Sequence, residues 1–342
     1  MDDETRQSNF STDSYDNMSV EELQHEYIEA HNRLQDENKR INELTRRLIS
    51  KELEEIVPSQ MALESAKKMG PMDDIFFNKI SEKEDAISEV ISTILGIKVD
   101  VLEVVPQYTL TGIKTRGVRL DSFSRVMPQA LVKVRLDEDS PFGPKGGMIN
   151  VEVQKDNDDD HEYRVYYNGA SMIVNNAPKG IMFKDLPRAV VIFISSFDVF
   201  KQGRLYYEMK KYTEQDKISG RSPVSEIYIN ARATDGSTPK LERITKLMEL
   251  FANPDKYNFN DFPAFSRRKD ELRNTEKGVM EVSKEFQRVI DGQVEENTVD
   301  HIISLMETLK LTATEAMKSL RVPQKEWGAY EVKVNNRLTP AK

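Results

Sequence analysis

Two short stretches set acids into apolar, β-branched runs where a buried sheet has no use for them. "GVRLDSFSRV" carries Asp121, and "GGMINVEVQKD" carries Glu152 with Gln154 two residues on. Alternate residues of a strand share a face. Glu152 and Gln154 therefore point one way, and Val151 and Val153 the other. Asp121 shares its face with Arg119. If the two strands pair, Asp121 and Glu152 come close together. Neighbouring carboxylates repel, so one pKa rises or a cation neutralises them. Hard oxygen donors of this kind suit Mg²⁺, which takes a few carboxylates and keeps several waters. Such an ion polarises a phosphate and helps generate hydroxide. Gln154 can orient an attacking water but cannot carry the positive charge a lysine would. The same spacing also describes a solvated strand face, so the surrounding elements decide.

Those elements read as an α/β core. "SEKEDAISEVISTILG" predicts a helix with a capping box at Ser81 and Glu84, an apolar face at Ala86, Val90, Ile91, Ile94 and Leu95, and Gly96 just past its end. "IKVDVLEVV" alternates as a strand, and the two acid-bearing runs follow as two more. "EYRVYYNGASMIVNN" reads as a helix weakened by Gly169. "AVVIFISSFDVF" is nearly all apolar, the mark of a strand buried on both faces. The order gives a mixed sheet flanked by helices. "SEIYIN" adds an edge strand. Beyond about residue 240 the chain turns helical, with "LERITKLMELF", "EKGVMEVSKEFQRVI", "VDHIISLMETL" and "TATEAMKSL" as separate amphipathic segments and a capping box at Thr312 and Glu315. The last two segments read as a helical hairpin rather than a DNA-reading helix-turn-helix. Trp327 is expected to anchor the final helix.

Taken in order, "RGVRLD", "INVEVQ", "YRVYY" and "KGIMFKDLPRAVVIFISSFDVFKQG" resemble the PD-(D/E)XK nuclease family transposases, relatives of the bacterial Rpn recombination-promoting nucleases. "EKGVMEV" and "LMETLKLTATEAMKSLRVP" are similar to that family's tail. The resemblance runs from about Met72 to the helical C-terminus. It implies a restriction-endonuclease-like core and Mg²⁺-dependent hydrolysis of DNA phosphodiester bonds, with Mn²⁺ able to substitute, linked to mobile-element recombination. It implies that Asp121 and Glu152 bind the metal, that Gln154 stands in a lysine position, and that Arg164, Tyr166 and Tyr167 flank the site against substrate phosphate. The fold often adds an acid from its first core helix, for which Glu84 is the candidate and Glu89 the rival. Thirty-one positions separate Asp121 from Glu152, longer than the family's hairpin, and the extra segment holds a second "RLD" ending at Asp137. Asp121 is preferred because "RGVRLD" is the fuller match.

The N-terminus adds a different element. Residues 1–18 read as a disordered tail. Ser19 and Glu22 form a capping box, and Val20, Leu23, Tyr27, Ala30, Leu34, Ile41, Leu44 and Leu48 keep a heptad-like seam broken at Glu37. A coiled-coil helix over 19–57 is expected, ended by Pro58, with "KKMGPMDD" as a linker to a core over 72–240 and a helical region over 241–342. Such a coil suits a homodimer, because paired nuclease domains cut both strands. It equally suits a non-catalytic nuclease-fold scaffold assembling through the coil.

Composition narrows the classes. The chain has 342 residues, a net charge of −9 and no cysteine, which excludes disulfides and thiolate metal sites and fits a reducing cytoplasm. No stretch approaches ~20 apolar residues, so no membrane span is expected. The acidic balance argues against broad coating of nucleic acid and leaves room for a local basic groove. "SRRKDELR" and "LTRRLISK" are the strongest basic patches, either phosphate contacts or solvated helix faces. The four histidines have no metal-ligand spacing, "DNDDDHE" lacks the pattern of a calcium loop, and "GPKGGM" lacks the ending of a phosphate-binding loop.

Overall fold

A computed structural model describes residues 18–105, 130–136, 147–157, 159–177 and 180–338. The chain divides into two compact units, the first reaching Glu55 and the second holding nearly all the rest. The first unit is one helix, α1 (Val20–Glu55). Its start carries the expected capping box: Glu22 N–H donates to Ser19 Oγ at 3.2 Å and Ser19 N–H to Glu22 Oε2 at 2.8 Å. Glu29–Arg33 and Glu43–Arg47 pairs line it at i, i+4 spacing. Val20, Leu23, Leu44 and Leu48 of the heptad seam are exposed.

The second unit begins with α2 (Gln60–Ala66), α3 (Asp74–Ser81) and α4 (Glu84–Leu95). Among the described residues six strands follow: β1 (Val99–Val105), β2 (Ala130–Leu136), β3 (Gly147–Gln154), β4 (Arg188–Ser195), β5 (Tyr206–Glu208) and β6 (Val224–Asn230). They form one mixed sheet in the order β1-β2-β3-β4-β6-β5. The β3–β4 and β4–β6 pairs are parallel, and the others antiparallel. Helix α5 (His161–Asn176) links β3 to β4 on one face. Helices α6 (Pro239–Ala252), α7 (Pro263–Asn274) and α8 (Glu276–Leu309) build the other side, and α9 (Ala313–Ser319) and α10 (Trp327–Leu338) complete the tail.

The larger core lies between one sheet face, through Ile149, Val151, Val153, Ile192 and Ile194, and the face built by α3, α4, α6 and α7. The smaller core, including Met148, Val191 and Phe193, lies against Val165 and Met172 of α5. β4 is buried from Ala189 through Ser195 because it has parallel neighbours on both edges and helices on both faces. Gly169, a poor helix former, has a packing reason. A Cβ there would sit 2.4 Å from Val224 Cγ1, so α5 lies on the sheet at a distance only glycine permits. The tail closes a third cluster around Ile302, Met317 and Tyr330, and Trp327 fixes the start of α10 by donating to the Val322 carbonyl at 2.9 Å.

Several expectations are corrected. The helix expected from Ser81 is α4, and it begins at Glu84. Ser81 ends α3, buried, with its hydroxyl donating to Asn78 O at 2.8 Å, so it does not cap α4, whose N-cap is Lys83. The strand beside β3 is "ALVKVRL", from the segment read as an insertion. "SEIYIN" is β6, an interior strand with β5 covering its outer edge. The two segments after residue 276 are one helix, since "DGQVEENT" holds no proline and one glycine does not break it. The "KKMGPMDD" linker is partly core, with Gly70, Pro71 and Met72 buried. "SRRKDELR" is largely internal: Arg268 is 5% exposed and Lys269 0%. Lys269 Nζ donates to the carbonyls of Leu250, Asn253 and Lys256 at 2.7, 2.8 and 2.7 Å, satisfying the end of α6 and the turn after it. Among the described residues no helix is long and apolar enough to cross a membrane.

Candidate active site

β3 does what its alternation requires. Its odd residues enter the larger core, and its even residues face α5. α5 returns along the strand, so two residues of strand rise (about 6.6 Å) match four of helix rise (about 6 Å). Two polar rungs result. Asn168 Nδ2 donates to Glu152 Oε1 at 2.6 Å, and Arg164 Nη1 donates to Gln154 Oε1 at 3.2 Å. Arg164 Nη2 also donates to Asp160 Oδ1 at 3.1 Å. Gln154 is held at its other end, with Nε2 donating to the Asp156 carbonyl at 2.9 Å.

A second carboxylate comes from α3, which packs on β3. Asp74 opens that helix, and its neighbour Asp73 is tied on two sides. Asp73 Oδ2 accepts from Gly70 N–H at 2.9 Å, and Lys155, just past the end of β3, pairs with Oδ1 at 2.9 Å. These bonds fasten the start of α3 to the end of β3, beside Glu152.

The electrostatics follow from crowding acids out of water. Glu152 is 7% exposed. Burial pushes its pKa up to about 7. Arg164 and the Asn150 side chain pull it back, and the charge of Asp74 raises it further. Burial likewise raises Asp74 to about 7, with Asp73 and Asp156 adding repulsion and Arg164 opposing them. Glu152 Oε2 makes no hydrogen bond of normal geometry among the described residues. A buried carboxylate oxygen with no donor is costly, and a cation would satisfy it.

The expected site residues fall into three groups. Glu152, Gln154 and Arg164 are brought together. Asp121 and its rival Asp137 lie outside the described residues; Leu136, before Asp137, stands at the far end of β3 from Glu152, because Val134 already pairs with Gly147. The rest are elsewhere. Glu84 is exposed in the first turn of α4. Glu89 accepts the Phe265 N–H at 2.8 Å, capping α7. Tyr166 and Tyr167 are exposed on the outer side of α5.

Asp74 and Asn168 are additions. The signal for Asp74 is the "DD" before "IFFNKI", but an acid opening a helix reads as a cap. For Asn168 it is the i+4 spacing from Arg164, visible once α5 is laid against β3.

No group of three or more histidines, cysteines or acids placed to hold a metal occurs among the described residues. Two carboxylates, one with an oxygen unpartnered among the described residues, fit Mg²⁺, which is commonly held by one or two carboxylates with waters and substrate phosphate completing its shell. Comparison with protein-family models, curated proteins and solved structures found no match.

Proposed function

We propose that this chain is a Mg²⁺-dependent DNA endonuclease of the PD-(D/E)XK type, acting in mobile-element recombination, with a restriction-endonuclease-like core. The observation that carries the reading is the pair Asp74 and Glu152: acids on separate elements, the first half-buried and the second buried, both raised to about 7, with Glu152 Oε2 unpartnered among the described residues. Purely structural carboxylates are ordinarily matched with donors or a full counter-charge. Asp74 and Glu152 would hold the ion, with Asp121 as the expected third acid. When bound, Mg²⁺ supplies charge neutralisation at the phosphate and a more acidic water. Asn168 fixes the plane of the Glu152 carboxylate through Oε1 and leaves Oε2 toward the ion. The Lys155–Asp73 bridge keeps Asp74 within reach of β3. Helix α1, with Val20, Leu23, Leu44 and Leu48 exposed, pairs two copies so that both strands can be cut.

The test is plasmid nicking with and without Mg²⁺, beside calorimetry with Mn²⁺. Asp74→Asn and Glu152→Gln are expected to bind Mn²⁺ weakly or not at all and to lose nicking by at least 100-fold with the fold retained. Full nicking in both variants, or no Mn²⁺ heat with the natural chain, would overturn the reading.

A further inference from the structure

We infer that the C-terminal helices hold a second binding site, a pocket between α8, α10 and the turn after α9 that takes a nucleoside monophosphate, with the phosphate on Arg321 and Tyr330 and the base along an apolar wall. None of these residues takes part in the Asp74–Glu152 site, so either reading can fail without the other.

Three pieces of chain line the pocket. Val294 and His301 stand two turns apart on one face of α8, the turn after α9 brings Arg321, Val322 and Pro323, and α10 brings Tyr330. The cavity measures about 320 Å³ and is partly open, at the lower end of small-ligand pockets, with room for one nucleotide and none for a duplex. Its polar groups are unspent. Cations that serve the fold nearby are paired: Arg337 bridges Glu296 and Asp300, and Lys333 pairs with Glu295. The Arg321 guanidinium and the His301 ring make neither hydrogen bond nor ion pair among the described residues. Tyr330 is 9% exposed, and a tyrosine hydroxyl so buried ordinarily finds a partner. This one has none among the described residues, yet it is not sealed from solvent, so it opens into the pocket.

Arg321 also keeps its place against a steric cost. Its φ of 57° ends α9 in the left-handed conformation that glycine takes most easily, and Val322 N–H donates to the Met317 carbonyl at 3.0 Å to close the turn. Lys310 shares that conformation, so the backbone alone makes no site; the pocket beside Arg321 does. The lining selects the ligand. A planar guanidinium and a hydroxyl both donate, which phosphate oxygens require. Val294, 59% exposed, offers a flat ring an apolar surface with Val322 and Pro323. Glu326 enters the same pocket, 3.8 Å from an exposed Lys325. Its carboxylate repels a bare anion and accepts from the amino group of a base. An anion, a ring and N–H donors within the volume of one nucleotide describe a nucleoside monophosphate.

The chain carries its own reporter. Trp327, its single tryptophan, follows Glu326 and donates its indole N–H to the Val322 carbonyl, and both neighbours line the pocket. The full chain in EDTA, which keeps any metal out of the experiment, is titrated with adenosine monophosphate and read by Trp327 fluorescence and by calorimetry. Saturable binding of one nucleotide per chain is expected. Inorganic phosphate and adenosine each satisfy half of the pocket and should bind at least about tenfold more weakly. Arg321→Gly should weaken the nucleotide about 10- to 100-fold and melt about where the natural chain does, since relief of the backbone offsets the freedom glycine gains when unfolded. Tyr330→Phe should weaken it about fivefold with the melt unchanged. No fluorescence change or heat with millimolar nucleotide, inorganic phosphate binding as tightly, a phosphoserine peptide binding more tightly, or unaltered binding in Arg321→Gly overturns the inference. So does an Arg321→Gly chain that melts well below the natural one, because the arginine would then serve the fold.

Discussion

Glutamine in place of Glu152 should stabilise this protein at alkaline pH, and the size of the gain follows from the site. The carboxyl has an ordinary value of 4.5 and is raised to about 7 in the fold. Each pH unit of such a difference is about 1.4 kcal/mol. The folded chain therefore binds a proton that the unfolded chain has lost throughout pH 4.5 to 7, and stability falls as pH rises through that window. Above pH 7 the full penalty applies, about 3 kcal/mol; below 4.5 it vanishes. Glutamine is neutral throughout, and its oxygen can still accept from Asn168. Urea unfolding in EDTA should find the two proteins matched near pH 4 and Glu152→Gln more stable at pH 8, by up to about 3 kcal/mol. Mg²⁺ should reverse the order in part, since an ion at a hundred times its Kd adds about 2.7 kcal/mol to the chain that binds it. A natural chain with flat stability from pH 5 to 8, or a variant no more stable than it at pH 8, would refute the reasoning that this carboxylate is held at a thermodynamic cost.

Two further outcomes test the framework around the site. Lys269→Met, nearly isosteric, removes three donors from buried carbonyls and should cost about 3 kcal/mol or more in urea unfolding, although the residue belongs to a stretch that reads as a surface basic patch. Leu44→Glu with Leu48→Glu, at two exposed positions of α1, should shift light-scattering mass from dimer to monomer and leave the melting of the second unit unchanged; an unaltered mass would remove the coil from the proposal.

What the residues alone determine here is whatever depends on neighbours in the chain. The alternation of "MINVEVQ" decides that Glu152 and Gln154 share a face, and the apolar run of "AVVIFIS" decides that β4 is interior. The Ser19–Glu22 and Thr312–Glu315 boxes decide where helices begin, and Gly96, with φ 73°, where one ends. Each is settled within one or two turns by sterics and local hydrogen bonds. Other features needed the tertiary structure, because they are decided by what arrives from far along the chain. Lys269 looks solvated until the turn after α6 closes over it. Gly169 looks like a flaw in α5 until Val224 sits against it. Asp74 looks like a cap until a salt bridge from Lys155 to Asp73 fastens the start of α3 to the end of β3. A buried carboxylate is recognisable only from its surroundings, since desolvation and the charges of distant residues, rather than spacing in the chain, determine whether it keeps its proton at neutral pH.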